Sequence, residues 1–350
     1  MILTPLTAAA IKKNIALIEE LLQIGADPFD NSALFVCAVL DLPEISAVLL
    51  HAFQSRYPNG AKNHGCDALY QTIRSKNARL FSLFAFHINL SGPVAKDHGR
   101  SCFDGRRFES NTVWTSPLGE AIRLHSEGNG ADAMFELLLS MVKDHSTVVY
   151  RDSERGNMTC LLSAIYLDSL KTVHKLHQAG ANISLPAMGS VIRTPLQAAA
   201  QVASQEIVEY LLGHGVDPNE PPSTRSGATA LQLAAISGNV NIASILLDAG
   251  ADVNAPPAFC DGRTAFEGAT EHGRVEMMRF LVSKGADLLA NDNEQHRRAV
   301  ILAEDNRQYA AKALADELHA RVVASQQTSF INMGGQWAGS EMPDFGTLFS

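Results

Sequence analysis

A chain of 350 residues with 46% hydrophobic and 19% charged side chains has ample material for a buried core and is not generally disordered. Its formal net charge of −9 repels phosphate backbones and anionic lipid, so direct binding of nucleic acid is not expected. Five scattered cysteines without a CxxC pair fit neither a disulfide framework nor a zinc site, and point to reduced thiols in an intracellular setting, cytoplasmic or nuclear.

The opening "MILTPLTAAAIKKN" lacks the succession of basic, apolar and small residues of a secretory signal. From Thr4, "TPLTAAAIKKNIALIEELLQIGADPF" reads as two short helices closed by Gly25. Weaker segments of the same kind start at Ser32 and Asp67 and keep leucine at the third position, so residues 1–90 form a degenerate N-terminal block. The longest apolar runs, such as "LFSLFAFHINL" from Leu80, fall short of the roughly 18 residues that span a bilayer, and no membrane segment is expected. Residues 91–115 are a long insertion, either functional or disordered. Its Arg100, Arg106 and Arg107 alternate with Asp104 and Glu109 and read as a solvated loop.

Residues 116–290 carry the pattern most clearly. After a weaker unit at Ser116, related segments begin at Thr159, Thr194, Thr229 and Thr264, each 35 residues after the last. Counting the unit at Thr4, five threonines are followed 21 residues later by a glycine: Gly25, Gly180, Gly215, Gly250 and Gly285. The threonine can cap a first helix, and proline next to it (Pro5, Pro117, Pro195) sits where a missing N–H does no harm. Alanines such as Ala198–Ala200 keep that helix thin, Ile242, Ile245 and Leu246 give a second helix an apolar face, and the glycine suits its left-handed end.

The T-P-L, A-A, L-L, G-A-D-x-N order at Thr194, Thr229 and Thr264 resembles the ankyrin-repeat family, and the wording from Gly262 onward is similar to arrays in fungal multidomain proteins, where an effector domain often lies upstream. The resemblance implies an all-α solenoid of about eight helix-turn-helix repeats, with projecting fingers lengthened here by "NEPPSTRSGA" and "NAPPAFCDGR". Residues 291–324 are expected to add a capping helix pair. Residues 325–350, with Gly, Pro and spaced aromatics but no Lys or Arg, are expected to form a flexible tail: a disordered end, a recruiting segment, or a strip folded back on the repeats.

The candidates for chemistry are weak. His174 and His177 have helical spacing, but no third ligand stands in the same unit, so no metal site is expected. Glu271 to Arg274 falls in the bend between two helices, and Cys260 has no local histidine to activate it; neither a catalytic residue nor a cofactor is expected. The resemblance places partner contacts on the fingers and the polar positions before the bend: Arg193, Gln201, Arg225, Ser237, Phe259, Arg263, Glu271 and His272. Trp114 would either anchor a partner or cover the divergent neighbouring unit. The expectation is a monomeric, non-enzymatic scaffold for a protein partner. Alternatives are a nuclear regulatory adaptor acting through the tail, and an enzyme hosted on the array.

Overall fold

The computed structural model describes residues 3–58, 63–95, 114–152, 156–224 and 227–337. The chain divides into two compact units, Met1–Ser223 and Thr224–Ser350. The division falls in "NEPPSTRSGA", through which the 35-residue period runs unbroken, so nothing in the repeat pattern marks it.

The first unit is a series of helical hairpins. They are α1 (Pro5–Ile11) with α2 (Ile15–Gln23), α3 (Asn31–Leu40) with α4 (Pro43–Arg56), and α5 (Cys66–Arg74) with α6 (Ala78–Ala85). Then come α7 (Pro117–Ser126) with α8 (Asp132–Met141), α9 (Cys160–Tyr166) with α10 (Leu170–Gln178), and α11 (Pro195–Val202) with α12 (Gln205–Gly213). Each odd-numbered helix packs on the next odd-numbered one, and α2, α4, α6 and α8 follow suit on the other layer. The second unit holds α13 (Ala230–Ser237) with α14 (Val240–Asp248), α15 (Ala265–Glu271) with α16 (Val275–Ser283), and α17 (Ala290–Asp305) with α18 (Tyr309–Trp337). In it α13 packs on α15, and α15 on α17.

The periodic threonines do what their position demands. Thr4, Thr159, Thr194, Thr229 and Thr264 are N-caps whose hydroxyls accept from the backbone N–H three residues on. Prolines 5, 117 and 195 occupy the first turn. Ala198, Ala199, Ala200, Ala234 and Ala235 are wholly buried, which lets neighbouring first helices approach. The units expected from Ser32 and Asp67 begin instead at Asp30, whose carboxylate accepts from the Ala33 N–H, and at Gly65, which offers no side-chain cap.

Two departures from the expected fold have local causes. A four-stranded antiparallel sheet runs β1 (Val94–Ala95), β2 (Trp114–Thr115), β3 (Val148–Asp152) and β4 (Gly156–Thr159), with Val94 opposite Thr115, Trp114 opposite Arg151 and Tyr150 opposite Met158. The unit is therefore helical with a sheet set against its helices, and the ends of the 91–115 insertion are strands. β3 follows from the β-branched pair Val148–Val149, while two-residue strands are too short to leave a period in the sequence. The second departure is that α18 runs on through residues 325–337, which were expected to leave the helix. "SQQTSFINM" contains no glycine or proline, so the first breaker is Gly334. Residues 338–350 lie outside the described part.

Between the two helices of every hairpin, the chain turns through a left-handed backbone: Lys13 (φ 53°), Asp41 (53°), Lys76 (56°), Gly128 (69°) with Gly130 (72°), Asp168 (51°), Ala203 (62°), Gly238 (79°), Gly273 (66°) and Arg307 (59°). A side chain there costs about 1–2 kcal/mol, and glycine's extra unfolded-state entropy offsets only part of that. Ala203→Gly, at an exposed turn, should therefore raise the stability of the first unit by about 0.5–1 kcal/mol, read as a higher urea midpoint with unchanged helicity.

His64 is 3% exposed, its ring stacks on Phe53 at a 3.7 Å centroid distance, and neither ring nitrogen has a hydrogen-bond partner. Burial pushes its pKa down from 6.5 to about 4, opposed weakly by Asp27. The folded chain thus keeps this ring neutral while the unfolded chain protonates it. The stability that depends on it is complete above pH 6.5 and is lost as pH falls toward 4. His64→Phe should flatten the loss of stability between pH 7 and pH 5, measured by urea unfolding at both.

Candidate finger surface

In the second unit, the finger before α15 is a tight, internally braced turn. Asp261 is left-handed at φ 55°, and a Cβ on Gly262 would fall 2.2 Å from the Ala258 nitrogen, so only glycine permits the turn. The Cys260 N–H donates to the Thr224 carbonyl at 3.3 Å. Arg263 forks onto Glu271, with Nε 2.8 Å from Oε2 and Nη2 3.4 Å from Oε1. Its Nη1 donates to the Asp261 and Gly262 carbonyls, each at 3.2 Å. The turn projects Phe259, which is 94% exposed.

The first unit repeats the arrangement in neutral form. Arg193 Nε donates to Gln201 Oε1 at 3.2 Å and its Nη1 to the Ile192 carbonyl at 3.1 Å. The Tyr166 hydroxyl, one repeat earlier, donates to the same Gln201 oxygen at 3.2 Å. Burial lowers the Arg193 pKa, with Tyr166 opposing. Asn157 of β4 reaches the next finger, its amide donating to Ser190 Oγ at 2.7 Å, and Met188 beside it is 69% exposed.

The expected contact residues therefore separate into two kinds. Arg193 is joined to Gln201 and Arg263 to Glu271, while Ser237 donates to the Ala234 carbonyl at 3.0 Å and His272 Nδ1 to the Gly268 carbonyl at 3.1 Å. These polar groups brace finger and bend. Among the described contact candidates, Phe259 alone stands almost wholly in solvent. Trp114 is half-buried in β2, paired with Ala95 on one side and Arg151 on the other. Arg225 lies outside the described residues. Sequence reasoning missed Met188, which no repeat position singles out.

Burial pushes the thiols of Cys37, Cys66 and Cys160 up to about 12, so they stay protonated at neutral pH. The buried carboxyl of Glu267 is pushed up by desolvation, with the Thr264 N–H and Arg298 pulling the other way, and it meets Arg298 Nε at 3.1 Å. That is a cap and an ion pair. Two depressions between outer helices, one lined by Glu44, Arg79 and Leu83 and the other by Glu19, Leu22 and His51, are shallow and open to solvent. Among the described residues, no helix is long and apolar enough to cross a membrane.

Residues 161–257 and 222–292 match the family model described as ankyrin repeats in three copies. No curated protein matches the chain.

If Arg263 braces the finger, Arg263→Ala should free residues 256–262. The expected result is faster limited proteolysis at that turn with helicity unchanged, since the half-exposed ion pair itself contributes only about 1 kcal/mol.

Proposed function

Because residues 161–292 make this chain an ankyrin-repeat protein, we propose that it is a non-enzymatic scaffold that binds a protein partner through its fingers, with Phe259 as the principal anchor. Ankyrin repeats are in general protein–protein interaction modules. In this reading α1 to α16 are eight repeats, and α17 with the start of α18 closes them as a capping pair. The protein acts as an intracellular monomer, its partner is a protein and not a nucleic acid, and its net charge of −9 favours that choice.

The supporting observation is the contrast within one finger. A large aromatic ring is held in water at 94% exposure by a turn whose polar groups are satisfied internally. Such a ring loses little conformational freedom on binding, and aromatic anchors that become buried in a partner commonly carry 2 kcal/mol or more, roughly a thirty-fold change in affinity. Glu271 and Arg263 serve by shaping the finger. They do not supply free charge.

Affinity capture with the intact chain and with Phe259→Ala tests this. A specific protein retained by the intact chain and lost at least ten-fold from the variant, at equal melting temperature, is the expected result. An unchanged set of bound proteins would remove Phe259 and this face from the reading.

A further inference from the structure

The first unit carries an imidazole pair that the sequence separates by a full repeat. His177 lies in the last turn of α10, and His214 caps the end of α12. Their ring centroids are 5.0 Å apart, with the planes nearly perpendicular at 85°. Tyr210 of α12 holds both rings by the same atom type: its hydroxyl lies 2.7 Å from His177 Nδ1, and its carbonyl accepts from His214 Nδ1 at 2.7 Å.

The bonding fixes the His214 tautomer and permits the same one at His177. A carbonyl only accepts, so the proton of neutral His214 sits on Nδ1 and the lone pair on Nε2. The phenol oxygen can accept likewise from His177 Nδ1–H, which leaves Nε2 as that ring's free base. An imidazole whose Nδ1–H is tied to an oxygen and whose Nε2 is open is the arrangement that orients histidine toward a metal. Two rings ligating one ion through Nε2, at the usual Zn–N distance of about 2.0–2.1 Å and a near-tetrahedral angle, would have centroids about 5 Å apart. The observed separation already has that value.

We propose that His177 and His214 form a binding site for a divalent transition-metal ion, held through the two Nε2 atoms and oriented by Tyr210. Among the described residues no group of three or more metal-type side chains is assembled, so water completes the coordination. Imidazole nitrogen selects copper, nickel and zinc over magnesium and calcium.

The test is calorimetric titration of the full chain, free of any histidine tag, with Cu2+, Zn2+ and Mg2+ separately at pH 7.5. One equivalent should bind, Cu2+ more tightly than Zn2+, with no heat from Mg2+. His177→Gln and His214→Gln should each weaken binding at least ten-fold, and Tyr210→Phe several-fold, because it frees one ring and leaves the other tied. His296→Gln, in the stacked His296–His319 pair of α17 and α18 (ring centroids 4.1 Å apart), should change nothing. Metal should also raise the melting temperature of the intact chain and not of the two Gln variants, which separates lost ligation from lost folding. Equal titrations for the intact chain, His177→Gln and His214→Gln would overturn the proposal, as would no binding at all.

Discussion

In the repeats at Thr194 and Thr229, the third residue of the first helix ties its own helix start to the finger segment that follows. Gln197 and Gln232 each accept the backbone N–H of their own capping threonine, at 3.1 and 2.9 Å. The amide nitrogens turn the other way. Gln197 donates to the Glu220 and Pro221 carbonyls, both at 3.1 Å, and Gln232 to the Ala255 and Pro256 carbonyls at 3.0 and 3.1 Å. One side chain thus closes a helix end and pins the finger that follows it. Both glutamines are essentially buried, so each unmade bond would leave a polar group dry at about 1–3 kcal/mol.

Glutamate cannot take that place, because a carboxylate has nothing to donate. It stands at position 267, where no further finger follows: Glu267 accepts from the Thr264 N–H at 3.0 Å and turns its other oxygen to Arg298. Arg298 also donates to the Gly262 carbonyl at 3.3 Å. A change from amide to carboxylate, matched by one arginine from α17, converts a coupling position into an end. At Thr4 the same task falls to a hydroxyl, with Thr7 and Thr4 both bonded to the buried Asp30 that caps α3. The devices differ, yet each ties a helix start to the segment beyond it.

Much of this was legible in the sequence, and the remainder was hidden for definite reasons. Thr194, Thr229 and Thr264 announce helix starts because capping is a local property of a few consecutive residues, and Gly215 and Gly250 announce ends for the same reason. The inter-helix turn was legible only where it is glycine; Lys13, Lys76 and Ala203 adopt the same backbone against their own preference because the packed helices on either side leave no alternative. The sheet was hidden by strands of two residues, Val94–Ala95 and Trp114–Thr115, whose pairing is with distant chain. Arg263 and Glu271 are eight residues apart and on different elements, so their mutual neutralisation could not be read from spacing. His177 and His214 show the same limit at longer range, since a search confined to one unit cannot see a neighbour 37 residues away.

These internal partnerships also bear on where recognition can reside. A charged group already forked onto its partner and two carbonyls, as Arg263 is, would have to give up those bonds to serve a ligand, and the exchange returns little net free energy. An apolar ring in water has the opposite balance, because covering it releases hydration without breaking any bond. A braced finger therefore concentrates affinity at its tip and leaves specificity to its shape. The polar residues that resemble contact residues in sequence do their work one step earlier, by holding Phe259 where a partner can reach it.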